Sequence, residues 1–138
     1  MKNGIIITAI SALILVGGAW WVTAPSKDPN VIAKNGLHWH PELEIYVKGE
    51  KIEIPQGIGL SGPVHNPLHT HEDIPLVHLE YERKVTRDDT RLANFFKVWG
   101  KDFREFGTDV TMSVNGVENI ELENYEMKDG DKIVLRYE

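Results

Sequence analysis

All six histidines of this 138-residue chain fall within residues 37–80. They form two His-x-His pairs, His38-Trp39-His40 and His69-Thr70-His71, with His65 between the pairs and His78-Leu79-Glu80 after them. Neutral imidazole is the commonest protein ligand for transition metals. Side chains two residues apart on a strand share a face about 6.5 to 7 Å apart, so two of them can converge on one ion. The spacing therefore predicts a metal site drawn from His38, His40, His69, His71, His78 and Glu80. Glu72 and Asp73 join the set as weaker oxygen ligands, or as acceptors that orient an imidazole through its other nitrogen. His65, taken alone, reads as a surface residue. His38, His40, Glu42 and Glu44 also fit the plain outer face of a sheet. The recurrence of the pattern in three segments, with Pro63, Pro67 and Pro75 bracing the intervening loop, weighs against that reading.

Ligand chemistry narrows the metal. The chain has no cysteine, which excludes thiolate sites, blue-copper electron transfer and structural disulfides. Met112 and Met127 lie in other segments, so a methionine-bound Cu(I) site is disfavoured. Imidazole with carboxylate suits Cu(II), Zn(II) or Ni(II). The affinity order favours copper outside the cytoplasm, with zinc the everyday alternative, and the expected ion is Cu(II) or Zn(II).

The elements that must position these groups follow from periodicity. Residues 37–47 alternate, with Leu37, Trp39, Pro41, Leu43, Ile45 and Val47 on one side, and predict a single strand with one buried face, Pro41 marking a sheet edge or a bulge. Residues 48–51 read as a hairpin turn and 51–55 as the returning strand. Residues 56–75 read as a long glycine- and proline-rich loop, of the length that is functional or disordered. Residues 77–82 form a third strand with Val77, Leu79 and Tyr81 inward and His78, Glu80 and Glu82 outward.

Thr86 then fits the cap of a helix with Asp88 and Asp89 in its first turn, a core stripe of Leu92, Phe95, Phe96 and Trp99, and a stop at Gly100. Strands at 110–114 and 132–137 are bounded by Asn115-Gly116 and Asp129-Gly130 turns. The fold class expected is α+β, a mostly antiparallel sheet with one packed helix. Residues 128–135 and the winding segment before them resemble the last third of β-grasp domains such as the ubiquitin-like sulfur carriers. The chain lacks the carriers' Gly-Gly tail, so the resemblance bears on fold alone.

Residues 4–24 carry no charge and are long enough to cross a bilayer, with Trp20 and Trp21 placed for an interfacial belt and Lys2 ahead of the span. The expectation is a single-pass transmembrane helix with the rest of the chain on the extracytoplasmic side of the cell membrane. A cleaved signal peptide is the rival, but Pro25 after Val22-Thr23-Ala24 disfavours cutting and the apolar run exceeds an ordinary h-region. This divides the chain into an anchor at 1–24, a linker at 25–35 and a His-rich metal-binding domain at 36–138. Beyond residue 24 the 15 basic residues less Lys2 leave 14 against 21 acidic, a net charge of −7. That balance suits cations, and no nucleic-acid binding is expected.

Several blocks together resemble a family of largely uncharacterised, membrane-anchored, exported bacterial and archaeal proteins. They are Leu37-His38-Trp39-His40, the turn Val47-Lys48-Gly49-Glu50, Pro67-Leu68-His69-Thr70-His71-Glu72-Asp73, Val77-His78-Leu79-Glu80 and Asn94-Phe95-Phe96-Lys97-Val98-Trp99-Gly100. The resemblance spans nearly the whole domain and implies metal binding without an established activity.

The leading functional expectation is a membrane-tethered metal-binding protein that holds or hands over the ion, with an unidentified protein partner open. An enzyme is the less favoured alternative: a small zinc hydrolase with Glu80 or Glu72 as general base, for which a His-Glu-x-x-His helix is missing. The third is a pH-sensing or interaction module with only a structural metal. The sequence has no phosphate-binding glycine loop and no Gly-x-Ser-x-Gly elbow.

Overall fold

The computed structural model describes residues 28–138. It is α+β, with ten short strands in three sheets, one α-helix and two 3₁₀ turns among the described residues. The expected membrane helix over 4–24 lies outside those residues. Among the described residues no helix is long and apolar enough to cross a membrane.

The supporting body is a five-stranded sheet. Strands β3 (Glu42–Val47) and β4 (Glu50–Ile52) form a hairpin whose turn residues Lys48 and Gly49 take φ of 49° and 82°. Strands β8 (Val110–Val114) and β9 (Val117–Glu118) form a second hairpin, turned by Asn115 and Gly116 at φ of 53° and 81°. Two successive positive-φ residues are what a tight two-residue hairpin demands, and Asn-Gly meets it with little strain. The last strand, β10 (Lys132–Tyr137), enters between the hairpins, parallel to β3 and antiparallel to β8. The sheet order is β4-β3-β10-β8-β9.

Alternation puts Leu43 and Ile45 of β3 and Ile133, Leu135 and Tyr137 of β10 into one core. The same core takes Leu92, Phe95 and Phe96 of helix α1 (Leu92–Trp99), as the aromatic stripe predicts. Gly100 ends the helix at φ 77°, its N–H bonding to the Lys97 carbonyl. The helix begins later than expected. Thr86 caps a 3₁₀ turn, Arg87–Thr90, because the Asp89 carboxylate accepts from both its backbone N–H and its hydroxyl at 2.8 Å while pairing with Arg83. Arg91 is then extended, bridging to Glu126, and only beyond it does the α-helix start.

The candidate ligands sit on the second sheet, of order β2-β6-β5, made of β2 (Leu37–Trp39), β6 (His78–Tyr81) and β5 (Leu68–His69). Two expectations are corrected here. Residues 37–47 are two strands in different sheets, broken at His40-Pro41, where the proline has no N–H to continue a ladder. Residues 56–75 contain β5, which pairs with β6, so part of the expected loop is strand. Within the stretch read as a linker, β1 (Val31–Ala33) pairs with β7 (Val85–Thr86).

Candidate metal centre

Strand register alone gathers the histidines. In the β2/β6 ladder His38 faces Glu80, and in the β5/β6 ladder His69 faces His78. Directly opposed residues share a sheet face, and residues two apart on one strand do too. His38, Glu80, His78 and His69 therefore occupy one face, while Leu68, Leu79 and Trp39 turn to the other and join the core. His40 and His71 lie two residues beyond His38 and His69.

The connections holding this face come from long-range bonds. Pro41 and Pro75 each give their carbonyl to the opposite segment, to Val77 N–H at 2.8 Å and to Leu43 N–H at 2.9 Å. Asp129 accepts from the His40 N–H at 2.8 Å. Thr70, fully buried between His69 and His71, donates its hydroxyl to the Pro55 carbonyl at 2.8 Å and accepts from Ile58 N–H at 3.1 Å. Anchored inward, it leaves the flanking imidazoles to project the other way. Gly59 packs its backbone so closely on β5 that a Cβ there would lie 2.5 Å from the Leu68 carbonyl oxygen, at a φ of +76°. Helix α1 lies against the same strand.

The rings form a continuous cluster around His78. Its centroid is 4.7 Å from that of His40, 4.8 Å from His71 and 5.2 Å from His69, and His38 is 4.6 Å from His40. All six expected residues enter one of two sets whose ligand atoms lie within 4.8 Å of one another. One set is His38, His40, His78 and Glu80, and the other is His69, His71 and His78. His65 is exposed, its ring centroid 6.3 Å from that of His69, and neither it, Glu72 nor Asp73 belongs to a set. His78 keeps the face expected for it, opposite Leu79, but that face is covered there: its side chain is only 9% exposed, enclosed by its imidazole neighbours and Asp73.

Hydrogen bonding fixes which nitrogens carry lone pairs. His69 Nδ1 lies 2.9 Å from the Asn66 carbonyl, which can only accept, so Nδ1 bears the proton and Nε2 the lone pair. His78 Nε2 lies 3.1 Å from both oxygens of Asp73, so Nε2 donates and, in the neutral ring, Nδ1 is bare. His69 Nε2 and His78 Nδ1 are two of the three buried side-chain nitrogen or oxygen atoms without a partner among the described residues. Leaving such an atom buried and unpaired costs about 1–3 kcal/mol.

Both bare nitrogens face Glu80. Its Oε1 is 3.5 Å from His78 Nδ1 and 3.0 Å from His38 Nε2, and its Oε2 is 3.8 Å from His69 Nε2. An imidazole lone pair and a carboxylate oxygen repel at that range unless a cation lies between them. A proton on His69 is disfavoured, since burial pushes its pKa below the ordinary imidazole value against the opposing pull of the Asn66 carbonyl and Glu80. Asp73 is held below the usual carboxylate range chiefly by its hydrogen bond from His78. It plays the orienting part expected for a carboxylate behind a ligand histidine. The Asn66 carbonyl does the same for His69, and no feature of the sequence marked a backbone carbonyl for it. The anchoring role of Thr70 was present in the His-Thr-His alternation but was not read from it.

Comparison with known proteins adds no relative: no family model, no curated protein and no solved structure matches this chain.

Proposed function

We propose that this chain is a membrane-tethered, extracytoplasmic protein that binds Cu(II) or Zn(II), holding or transferring the ion through its histidine cluster. The observation that carries the reading is the pair of buried lone pairs, His69 Nε2 and His78 Nδ1, aimed at a carboxylate with no donor between them. A divalent cation satisfies all three groups at once. The donors are nitrogen and oxygen, and Met112 and Met127 are buried in the hydrophobic core, which supports Cu(II) or Zn(II) over a thioether-bound Cu(I). Glu80 lies 3.0–3.8 Å from three imidazoles, placed as a fellow ligand rather than free as a general base, which supports holding over hydrolysis.

Export and anchoring rest on the uncharged run at 4–24. A β-grasp-like reading of the larger sheet is supported by its order: two hairpins with the last strand between them, parallel to the first, and one helix in the connection. The test is metal analysis of the full chain, purified in detergent without a histidine tag and equilibrated with Cu(II) or Zn(II). At least one ion per chain should be retained through gel filtration. A folded wild-type chain that retains no ion would overturn the reading.

A further inference from the structure

We propose that the cluster is a two-station relay for one cation, with His78 as the pivot between an exposed loading station and a buried holding station. The proposal rests on the metal-binding reading and extends it. The exposed station is His38, His40, His78 and Glu80, and the buried one is His69, His71 and His78. Side-chain exposure falls from 63% at His38 and 41% at Glu80 to 9% at His78 and 2% at His69, with His40 and His71 both half-buried. A cation arriving from solvent meets His38 and Glu80 before His78 and His69.

Sharing makes the two stations alternatives. With its Nε2–H donated to Asp73, the neutral His78 ring has one lone pair, and one lone pair serves one ion. Glu80 spans the gap, its Oε1 toward His38 and His78 and its Oε2 toward His69. Inward movement is therefore ligand exchange in which bonds from the metal to His38 and His40 break as bonds to His69 and His71 form. The carboxylate shifts from one oxygen to the other, and neither the metal's oxidation state nor the proton count changes. Outward movement is the reverse, and it presents the ion on the open side of the sheet.

The test uses the full chain and Cu(II) alone, with rapid-mixing absorbance for loading and a strong chelator for release. Wild type should saturate at one ion per chain. His38→Ala with His40→Ala should slow both loading and chelator-driven release at least tenfold, because the route is lost. His71→Ala should instead speed release at least tenfold, because the holding station is incomplete. Glu80→Gln, a conservative change at an exposed position, should slow both rates and serves if the double variant misfolds. Two ions per chain at saturation would overturn the relay, since the two stations would then be filled together rather than in turn. So would a double variant that releases faster, as His71→Ala does, or one whose rates are unchanged. Failure of wild type to retain any ion would overturn the metal-binding reading itself, a result distinct from these.

Discussion

His69→Leu separates a metal ligand from a core residue by the sign of its effect. In the metal-free protein the substitution removes one buried unpaired nitrogen, worth about 1–3 kcal/mol, and loses the Nδ1 bond to the Asn66 carbonyl, worth about 0.5–1.5 kcal/mol. The side chain is only 2% exposed and leucine has similar bulk, so packing changes little. The metal-free variant should therefore match wild type or exceed it by about 1 kcal/mol. Saturating metal reverses the order. At a hundred times Kd, a ligand that binds only the native state stabilises wild type by about 2.7 kcal/mol. For a domain of this size that raises Tm by roughly 10 °C. The variant should gain much less. The assay is chemical and thermal unfolding followed by circular dichroism, with chelator and then with Cu(II) or Zn(II). A metal-free variant destabilised by more than about 2 kcal/mol, together with no metal effect on wild type, would show that His69 is ordinary core and refute the argument from the unpaired atom.

Asp73→Asn should weaken metal binding about 10- to 100-fold in equilibrium titration, because the amide no longer enforces the His78 tautomer that leaves Nδ1 bare. Gly59→Ala should cost about 2 kcal/mol or more in thermal unfolding, since its φ of +76° strains any L side chain and the added carbon overlaps the Leu68 carbonyl. The same change should lower metal affinity by displacing β5. Asp89 is held down to about 2, chiefly by its hydrogen bonds from Arg83, and it also accepts from Thr86. A depressed carboxylate stabilises the fold above its unfolded pKa near 4 and loses that contribution as pH falls toward 2. Asp89→Asn should thus be roughly 2 kcal/mol less stable at pH 7, with the gap closing by about pH 2 in urea titrations.

What was legible in the sequence was local. The positive-φ turns at Lys48-Gly49 and Asn115-Gly116, the stop at Gly100 and the alternation of β3, β8 and β10 depend on residues that are neighbours in the chain. The six ligand candidates were legible for the same reason, since each His-x-His block declares its own face. What was hidden depends on distant partners. The break at Pro41 is recognisable, but the assignment of its two halves to different sheets is made by Val77 and Pro75, far along the chain. The burial of His78 is not legible because alternation distinguishes two faces of a strand and does not say that both will be covered. The displaced helix start has a similar origin, in Arg91 pairing with Glu126.

The separation of the ligand sheet from the five-stranded sheet bears on how an uncomfortable site can exist at all. Two unpaired nitrogens opposite a carboxylate cost the metal-free fold about 2–6 kcal/mol at about 1–3 each, a large share of the 5–15 kcal/mol by which domains are stable. The five-stranded sheet carries six buried apolar side chains, Leu43, Ile45, Met112, Ile133, Leu135 and Tyr137, against Leu68, Leu79 and Tyr81 in the ligand sheet, and none of the ligands. The ligand sheet has strands of three, four and two residues, tied at its margins by Thr70, Pro41 and Pro75 rather than by long ladders. The two sheets have separate ladders, so we expect the larger one to stay folded while the smaller one adjusts to a cation. Metal removal should accordingly loosen hydrogen-exchange protection at Leu68, His69 and His78 while leaving Ile133 and Leu135 protected. Uniform loss across both sheets would mean that the site and the core are one cooperative unit, and the strain would then have to be balanced globally.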